Sequence, residues 1–269
     1  PVAHAGTTCT SRSFVVVVVG LVVLTVACGL AGMLAGDTFV LLGDLTNWVQ
    51  GRTGLAYTFV LDQRLPRVLA ALGAGAALAV AGTVVQGVCR NPLAEPSLLG
   101  ITAGAGLGSV MLLTMVPFAG IWVMSGVAGA GALVAFALVY GLSWRGGLQS
   151  DRLVLVGIGV SAGLTALTTF VIVATDPWNT AKALTWLSGS TYGRTLGQVV
   201  PVLLALVVIT PVVLYARHRL DLLVLDEDTP RILGVRVETS RLVTLGGAAL
   251  LTSTAVSAVG VVGFVGLVA

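Results

Sequence analysis

Residues 64–104 read RLPRVLAALGAGAALAVAGTVVQGVCRNPLAEPSLLGITAG, and this stretch decides the fold. Its centre, Val68–Cys89, contains no charged residue, and arginines flank it on both sides. As a helix rising about 1.5 Å per residue, these 22 residues match the roughly 30 Å hydrocarbon core of a bilayer. The stretch therefore predicts a membrane-spanning helix, and Asn91–Pro96 behind it predicts a rigid polar turn.

The composition of the whole chain agrees with a membrane protein. Charged residues make up 9% of the 269 residues and apolar residues 57%, whereas soluble domains are about 25% charged. Because lipid offers no hydrogen-bond partners, the backbone must satisfy its own polar groups within helices. We therefore predict an all-α polytopic bundle. The basic residues are scattered singly and give no indication of nucleic-acid binding.

Apolar segments of spanning length recur along the chain. The predicted spans are Phe14–Ala35, Val68–Val88, Leu98–Val116, Ile121–Leu142, Leu153–Thr175, Val199–Tyr215 and Leu242–Val259, followed by an apolar piece at Gly260–Ala269. With residues 1–13 as a cytoplasmic segment, nine of the 14 Lys and Arg residues lie on the cytoplasmic side and five outside, as the positive-inside rule requires. The alternative at the N-terminus is a lipoprotein signal peptide ending at Cys28. Since apolar residues continue to Ala35 and more spans follow, we prefer a retained first span.

No Asp, Glu, Lys or Arg lies within these predicted spans. Ion-coupled carriers usually keep an ionisable group at membrane depth, despite a cost of ~2.5–3.5 kcal/mol. The absence disfavours a secondary, ion-coupled transporter without excluding it. An intramembrane enzyme is also disfavoured, because the spans hold no nucleophile–base pair and the three cysteines and two histidines lack metal-ligand spacing. We predict no catalytic residue, no metal site and no cofactor.

Two glycine patterns need interpretation. Gly100, Gly104 and Gly108 lie four residues apart, which predicts close helix packing, with flexibility for a moving pathway as the alternative. Residues 157–162, GIGVSA, match the GxGxxA dinucleotide fingerprint, and Asp176 lies near the spacing of a ribose ligand. That fingerprint works only where a strand delivers a helix N-terminus to a pyrophosphate in water. Here it lies within an uncharged apolar run, so we reject dinucleotide binding.

The longest polar cytoplasmic segment, residues 217–241, reads RHRLDLLVLDEDTPRILGVRVETSR. Its acidic start with proline just inside is typical of a helix N-terminus, and Gly234 would end that short helix. Apolar residues along the segment need a partner to cover them. We therefore predict a docking surface, with an ordinary solvated loop as the alternative.

Three motifs occur together in this chain: the RLPR…AGxxxQGxxRNPLAEPxLLGIxAGA block, LDEDTPRILGV, and VGVVGFVGLVA at the end. Together they resemble the FecCD-type permeases, the membrane subunits of binding-protein-dependent ABC importers for ferric siderophores, haem and vitamin B12. The resemblance implies the fold of a type II ABC importer permease with about ten spans, of which about seven and a half lie in this sequence. Family members continue after GFVGLV, so we expect the permease domain, residues 14–269, to be incomplete at Ala269.

The resemblance also implies partners and cargo. It implies a subunit of the bacterial inner membrane that pairs with a second permease subunit, two cytoplasmic ATP-binding subunits and an extracytoplasmic solute-binding protein. The expected cargo is a ferric siderophore, with haem and cobalamin as alternatives. Because no GxxxxGK[ST] loop occurs in the chain, ATP hydrolysis is expected on a separate subunit.

Roles carried over from the family fall on four groups of residues. Arg64 is expected to dock the binding protein, with an interfacial anchor as the alternative. The ATPase-coupling helix in the loop of about 217–241 is expected to use Asp226, Glu227, Asp228, Arg231, Leu233 and Gly234. A gate region is expected at Ser150, Asp151 and Arg152. Pathway lining is expected from Ser161, Thr165, Thr168 and Thr169, although hydroxyls more commonly bond back to their own helix. The Asn91–Pro96 turn receives no substrate role.

Overall fold

Helices make up nearly all of the fold in a computed structural model, which describes residues 9–36, 38–52, 54–116, 118–145, 147–217, 220–222 and 237–268. The helices are α1 (Cys9–Leu34), α2 (Leu42–Val49), α3 (Leu55–Cys89), α4 (Ile101–Met115), α5 (Ile121–Ser143), α6 (Ser150–Val173), α7 (Pro177–Leu187), α8 (Leu196–Tyr215) and α9 (Val237–Val259). Within the described residues, six helices are long and apolar enough to cross a membrane: α1, α3, α5, α6, α8 and α9. The predicted all-α polytopic bundle is confirmed.

The chain divides into two compact units, residues 1–68 and residues 69–269. In the first unit, every residue of α1 from Val15 to Cys28 is exposed, as expected of a helix surrounded by lipid. Its small core consists of Met33, Val40 and Leu61, with Trp48 of α2 packed against it. The indole nitrogen of Trp48 donates to the Asp62 carboxylate at 3.1 Å, which joins α2 to the first half of α3.

The predicted start of the second span at Val68 is wrong. Helix α3 begins at Leu55 and continues through Pro66, so that Arg64 and Arg67 lie within the helix instead of preceding it. A proline inside a helix removes one backbone hydrogen bond. Here Leu61 is fully buried and Leu65 packs on the same core, and this tertiary packing outweighs the local cost.

In the second unit, α4 and α5 form the most extensive helix pair. A Cβ at Gly104 would overlap the carbonyl oxygen of Gly131 and lie 2.5 Å from the Cβ of Ala135. One turn away, a Cβ at Gly108 would lie 3.0 Å from the carbonyl oxygen of Val127. Gly104 and Gly108 therefore allow the two backbones to touch, which confirms the packing interpretation of these two glycines.

Gly100 has a different role, and the predicted span Leu98–Val116 is shorter than expected. Pro96–Leu99 forms a 3₁₀ turn, and Gly100 follows in the left-handed conformation with φ of 76°. Helix α4 begins only at Ile101 and has 15 residues, a length of about 22 Å that falls short of the roughly 30 Å core. The positive φ at Gly100 separates the turn from the helix.

Helix α9 begins five residues before the predicted Leu242, and so takes in Glu238 and Arg241. Charged residues therefore lie within α9 and within the first half of α3, so these two helices, unlike the predicted spans, are not uncharged. Arg241 is only 1% exposed, and its guanidinium donates to the carbonyl oxygen of Leu148 in the link between α5 and α6. The Glu238 carboxylate accepts the backbone N–H of Leu148 at 3.2 Å. These two charged side chains stabilise a backbone link and extend the helix toward it.

The link between α7 and α8 is held by one side-chain and one backbone hydrogen bond. Arg194 donates from its Nε to the carbonyl oxygen of Ser190 at 2.9 Å, and the N–H of Ser190 donates to the carbonyl oxygen of Val259 at 2.6 Å. Burial lowers the pKa of Arg194, although a guanidinium stays protonated at neutral pH. The contacts attach the end of α9 to this link.

Candidate functional site

A cavity of about 580 Å³ lies within residues 69–269, between α4, α6, α7 and the Pro96–Leu99 turn. Polar hydroxyls and small or aliphatic side chains share its wall. The lining residues are Ser97, Leu98, Thr102, Ala103, Gly106, Ile158, Ser161, Thr165, Thr168, Thr169, Ile172, Leu184, Leu187 and Val261. All four residues predicted to line a pathway, Ser161, Thr165 and the adjacent Thr168 and Thr169, therefore lie on this one cavity, along one face of α6.

The hydroxyls of the cavity are largely committed to the protein. Thr168 and Thr169 donate to carbonyl oxygens one turn back in α6, at 2.8 Å and 3.0 Å. Ser161 donates to the carbonyl oxygen of Ser97 at 3.3 Å and so joins α6 to the 3₁₀ turn. These threonines therefore both bond back to their own helix and line the cavity. The wall presents oxygen lone pairs and methyl groups to the cavity interior.

None of the lining residues is ionisable. Such a wall offers a solute weak dipolar and dispersion contacts, with no acidic or basic side chain that could move a proton or activate a hydroxyl. In the part of the chain that the structure describes, no group of three His, Cys, Asp or Glu side chains is placed to hold a metal ion. The cavity is chemically suited to letting a solute pass without reacting.

The predicted gate residues lie at the first turn of α6, before the cavity-lining residues of the same helix. Ser150 is buried and its hydroxyl donates to the carbonyl oxygen of Val88 at 2.8 Å, which joins the start of α6 to the end of α3. Asp151 is exposed and Arg152 is half-buried. Ser150 and Ser161 are eleven residues apart on one helix, about 16 Å along its axis. Of the three residues, Ser150 contacts a second helix.

Arg64 lies in the first unit, and its guanidinium is engaged by the end of α1. It donates to the carbonyl oxygens of Met33 at 3.0 Å, Leu34 at 3.3 Å and Thr38 at 2.6 Å. The carbonyls of Met33 and Leu34 belong to the last turn of α1, where they lack partners within the helix and a cation is favourable, and Thr38 lies just past that end. The contacts favour an anchoring role for Arg64, while Arg67, one turn along α3, is exposed.

We expect Arg64→Ala to destabilise the purified chain by about 2 kcal/mol, because it removes charged hydrogen bonds to the end of α1. Gly36→Ala should reproduce part of the loss, since a Cβ there would overlap the guanidinium and displace it. Thermal unfolding in detergent measures both effects. The matched control is Arg67→Ala, which should change stability by less than about 0.5 kcal/mol. Equal losses at Arg64 and Arg67 would contradict this role, as would additive losses in the Gly36–Arg64 double variant.

The predicted ATPase-coupling residues lie outside the described residues. Asp226, Glu227, Asp228, Arg231, Leu233 and Gly234 all fall in the stretch 223–236. The loop of about 217–241 ends within α9, whose first residues include Glu238 and Arg241.

Sequence reasoning missed the contacts between the first and last of the three motifs. Gln86 and Glu95 of the opening block donate to and accept from the backbone at 264–267, about 170 to 180 residues later in the chain. Two signals could have indicated such partners. One is a polar glutamine within an apolar run, and the other is a glutamate in a turn between two prolines, Pro92 and Pro96.

Comparison with known proteins identifies the family. The FecCD transport family profile matches residues 21–269. The iron(3+)-hydroxamate import system permease protein FhuB of Salmonella typhimurium is 36% identical over 248 residues, which cover 89% of this chain and 36% of that protein. The ferric enterobactin transport system permease protein FepG of Escherichia coli is 35% identical, covering 96% of this chain and 78% of that protein.

A solved structure agrees with these relatives. The inward-facing conformation of a metal-chelate type ABC transporter superposes with a TM-score of 0.83 at 26% identity, covering 94% of this chain and 78% of that one. The chain therefore belongs to the FecCD transport family and has the fold of an ABC transporter permease. With six helices of spanning length among the described residues, it is a multi-pass protein of the bacterial inner membrane.

Proposed function

We propose that this chain is the permease subunit of an ATP-driven importer that moves a ferric siderophore across the bacterial inner membrane. The observation that carries the proposal is the uncharged, hydroxyl-lined cavity along α6, in a chain of the FecCD transport family. A wall without ionisable groups fits a solute that crosses without chemical change. It provides no group for coupling to protons or ions.

The cavity supports a pathway that a second subunit completes. Ile158 lines it and is 49% exposed, and the neighbouring α6 side chains Leu155 and Phe170 are about 70% exposed. In our proposal these residues face a second permease subunit, so that Ser161, Thr165, Thr168 and Thr169 line the passage between the two. Ser150, Asp151 and Arg152 form the cytoplasmic gate beneath it.

Two surfaces contact the remaining partners in this proposal. An extracytoplasmic binding protein docks at the outer part of α3, where Arg67 is exposed and Arg64 holds the end of α1. Cytoplasmic ATP-binding subunits engage the loop of about 217–241 through Asp226, Glu227, Asp228, Arg231, Leu233 and Gly234. ATP hydrolysis takes place on those subunits, and closure between them moves the helices of the permease.

Uptake measurements test the energy source. With the chain co-expressed with its ATP-binding subunits and binding protein, we expect uptake of an iron-labelled siderophore to continue after an uncoupler collapses the proton gradient, because no group in the cavity wall can couple a proton to the cargo. Uptake should fall to background when ATP is depleted, because ATP is the energy source in this proposal. The control is an ATP-binding subunit that binds ATP without hydrolysing it, which should also abolish uptake. The opposite pattern would show a secondary carrier instead.

The same assay distinguishes the cargo. Ferric siderophore, haem and cobalamin are each supplied in radiolabelled form to the assembled importer. Saturable uptake of the siderophore alone supports the proposal. Uptake of haem or cobalamin in its place would keep the importer class and change the substrate.

A further inference from the structure

The segment that follows α9 leaves the helical pattern inside the bundle. At Gly260 the backbone turns with φ of 83°, and a Cβ there would lie 2.6 Å from the carbonyl oxygen of Trp186 in α7. The next residue, Val261, lines the cavity. Residues 260–264 are not helical, and Val265–Leu267 forms a single 3₁₀ turn. We name residues 260–268 the return segment.

Irregular backbone at membrane depth is stable only where other groups satisfy its hydrogen bonds. Two side chains of the opening motif do this for the return segment. The Glu95 carboxylate accepts the N–H of Phe264 at 3.0 Å. The Gln86 amide donates to the carbonyl oxygens of Gly266 at 3.3 Å and Leu267 at 3.2 Å. The backbone is thereby hydrogen-bonded just before the 3₁₀ turn, at Phe264, and at the last two residues of the turn.

Close packing holds the return segment at the same place. A Cβ at Gly82 of α3 would overlap the carbonyl oxygen of Gly266 and lie 2.8 Å from its Cα. A Cβ at Gly266 would in turn lie 2.7 Å from Cδ of Pro96. Phe264 keeps φ of 64°, a left-handed conformation that is unfavourable for a non-glycine residue and persists only when its surroundings impose it.

Glu95 also binds a second wall of the cavity. Its other carboxylate oxygen accepts a hydrogen bond from the hydroxyl of Ser97, which lines the cavity in the 3₁₀ turn before α4. Ser97 in turn accepts from Ser161 of α6. One carboxylate thus connects the Ser97 wall with the return segment that carries Val261.

We propose that Glu95 is a positioning residue of the cavity, whose carboxylate ties the return segment to the Ser97 turn so that these two walls move as one. Gln86 supports it by fixing the 3₁₀ turn to α3. The importance of this tie for transport rests on the proposed function, because it makes the cavity a passage. The tie itself is a property of the fold and can be tested without any cargo.

Thiol labelling at Val261 tests the tie. In a background with Cys9, Cys28 and Cys89 replaced by alanine, Val261→Cys is introduced into the full chain in membranes, and its reaction with a small maleimide is timed. We expect Glu95→Ala to raise the labelling rate about tenfold, because it leaves the Phe264 N–H without an acceptor and frees the segment. Glu95→Gln should keep the rate within about twofold, since its amide oxygen can accept from Phe264 and its NH₂ can donate to Ser97.

The control is Asp176→Ala, which removes an exposed carboxylate at the start of α7 and should leave the labelling rate unchanged. Equal labelling of the Glu95→Ala variant and the parent would overturn the proposal. Equal acceleration by alanine and glutamine would overturn it too, because a mere loss of charge would then explain the effect.

If Glu95→Ala does not accumulate in the membrane, two smaller changes carry the same test. Ser97→Ala removes one arm of the tie, and Gln86→Ala removes the support of the 3₁₀ turn. Each should raise the labelling rate at Val261→Cys severalfold, and unchanged rates in both would overturn the proposal. Failure of the uptake experiment leaves these labelling results unaffected, so the two proposals fail separately.

Discussion

Replacing Gly157 with alanine is expected to prevent α6 from packing in the bundle. A Cβ at this position would overlap the carbonyl oxygen of Leu98 and lie 3.0 Å from its carbonyl carbon. These are backbone atoms of the 3₁₀ turn before α4, and they cannot rotate away as a side chain would. Overpacking of this kind costs about 1–3 kcal/mol or more. We expect the yield of monodisperse protein in detergent to fall sharply and its thermal stability to drop by at least about 3 kcal/mol.

Gly159 provides the matched control, since it lies two residues along the same helix and a Cβ there would meet nothing within 4 Å. Gly159→Ala should be neutral or stabilising, because alanine is favoured over glycine within a helix by about 1 kcal/mol. Similar losses from the two substitutions would contradict the packing role. The comparison also separates the two glycines of the GxGxxA match, one of which permits a close approach while the other faces open space.

Replacing Arg241 with alanine is expected to be the most damaging loss of a charged side chain. The guanidinium is fully buried and donates to the carbonyl oxygen of Leu148, whose N–H donates in turn to Glu238. Alanine would leave a buried carbonyl without this donor and a void in place of a long side chain. Leaving the acceptor unsatisfied costs about 1–3 kcal/mol, and the void adds to it. We expect a loss of about 3 kcal/mol or more, measured by thermal unfolding in detergent.

Arg145 is the matched control for Arg241. It is an exposed arginine on the same link between α5 and α6, and its replacement by alanine should change stability by less than about 0.5 kcal/mol. Equal effects of the two substitutions would show that net positive charge, and not the contact with Leu148, is what the protein needs. An Arg241→Ala variant as stable as the parent would contradict the role outright.

The sequence predicted some helix ends correctly. The start predicted for α5, Ile121, and the end predicted for α8, Tyr215, are those of the structure. Prediction failed at α3, where Leu61 and Leu65 extend the helix through Pro66 by packing on Met33 and Val40. Neither Met33 nor Val40 is near Pro66 in sequence, so local propensity could not indicate that the helix continues.

The candidate site shows the same division. Ser161, Thr165, Thr168 and Thr169 share one helical face by their spacing alone, and the family resemblance assigned them to a pathway. Their cavity also needs Thr102 of α4, Leu184 of α7 and Val261, which come together only when the helices pack. For Arg64 the resemblance suggested docking, whereas carbonyl oxygens at and just after the end of α1 accept hydrogen bonds from its guanidinium.

What the sequence by itself determined is the membrane environment, the all-α class and the family, because apolar length, charge depletion and local motifs are properties of neighbouring residues. Only the tertiary structure decided which polar residues of the Arg64–Gly104 stretch have partners. Glu95 and Gln86 bind backbone that lies 169 to 181 residues further along the chain. Such contacts satisfy the hydrogen bonds of irregular backbone where lipid supplies no partner. No local sequence pattern can indicate them, because the donor and the acceptor come together only when the helices have packed.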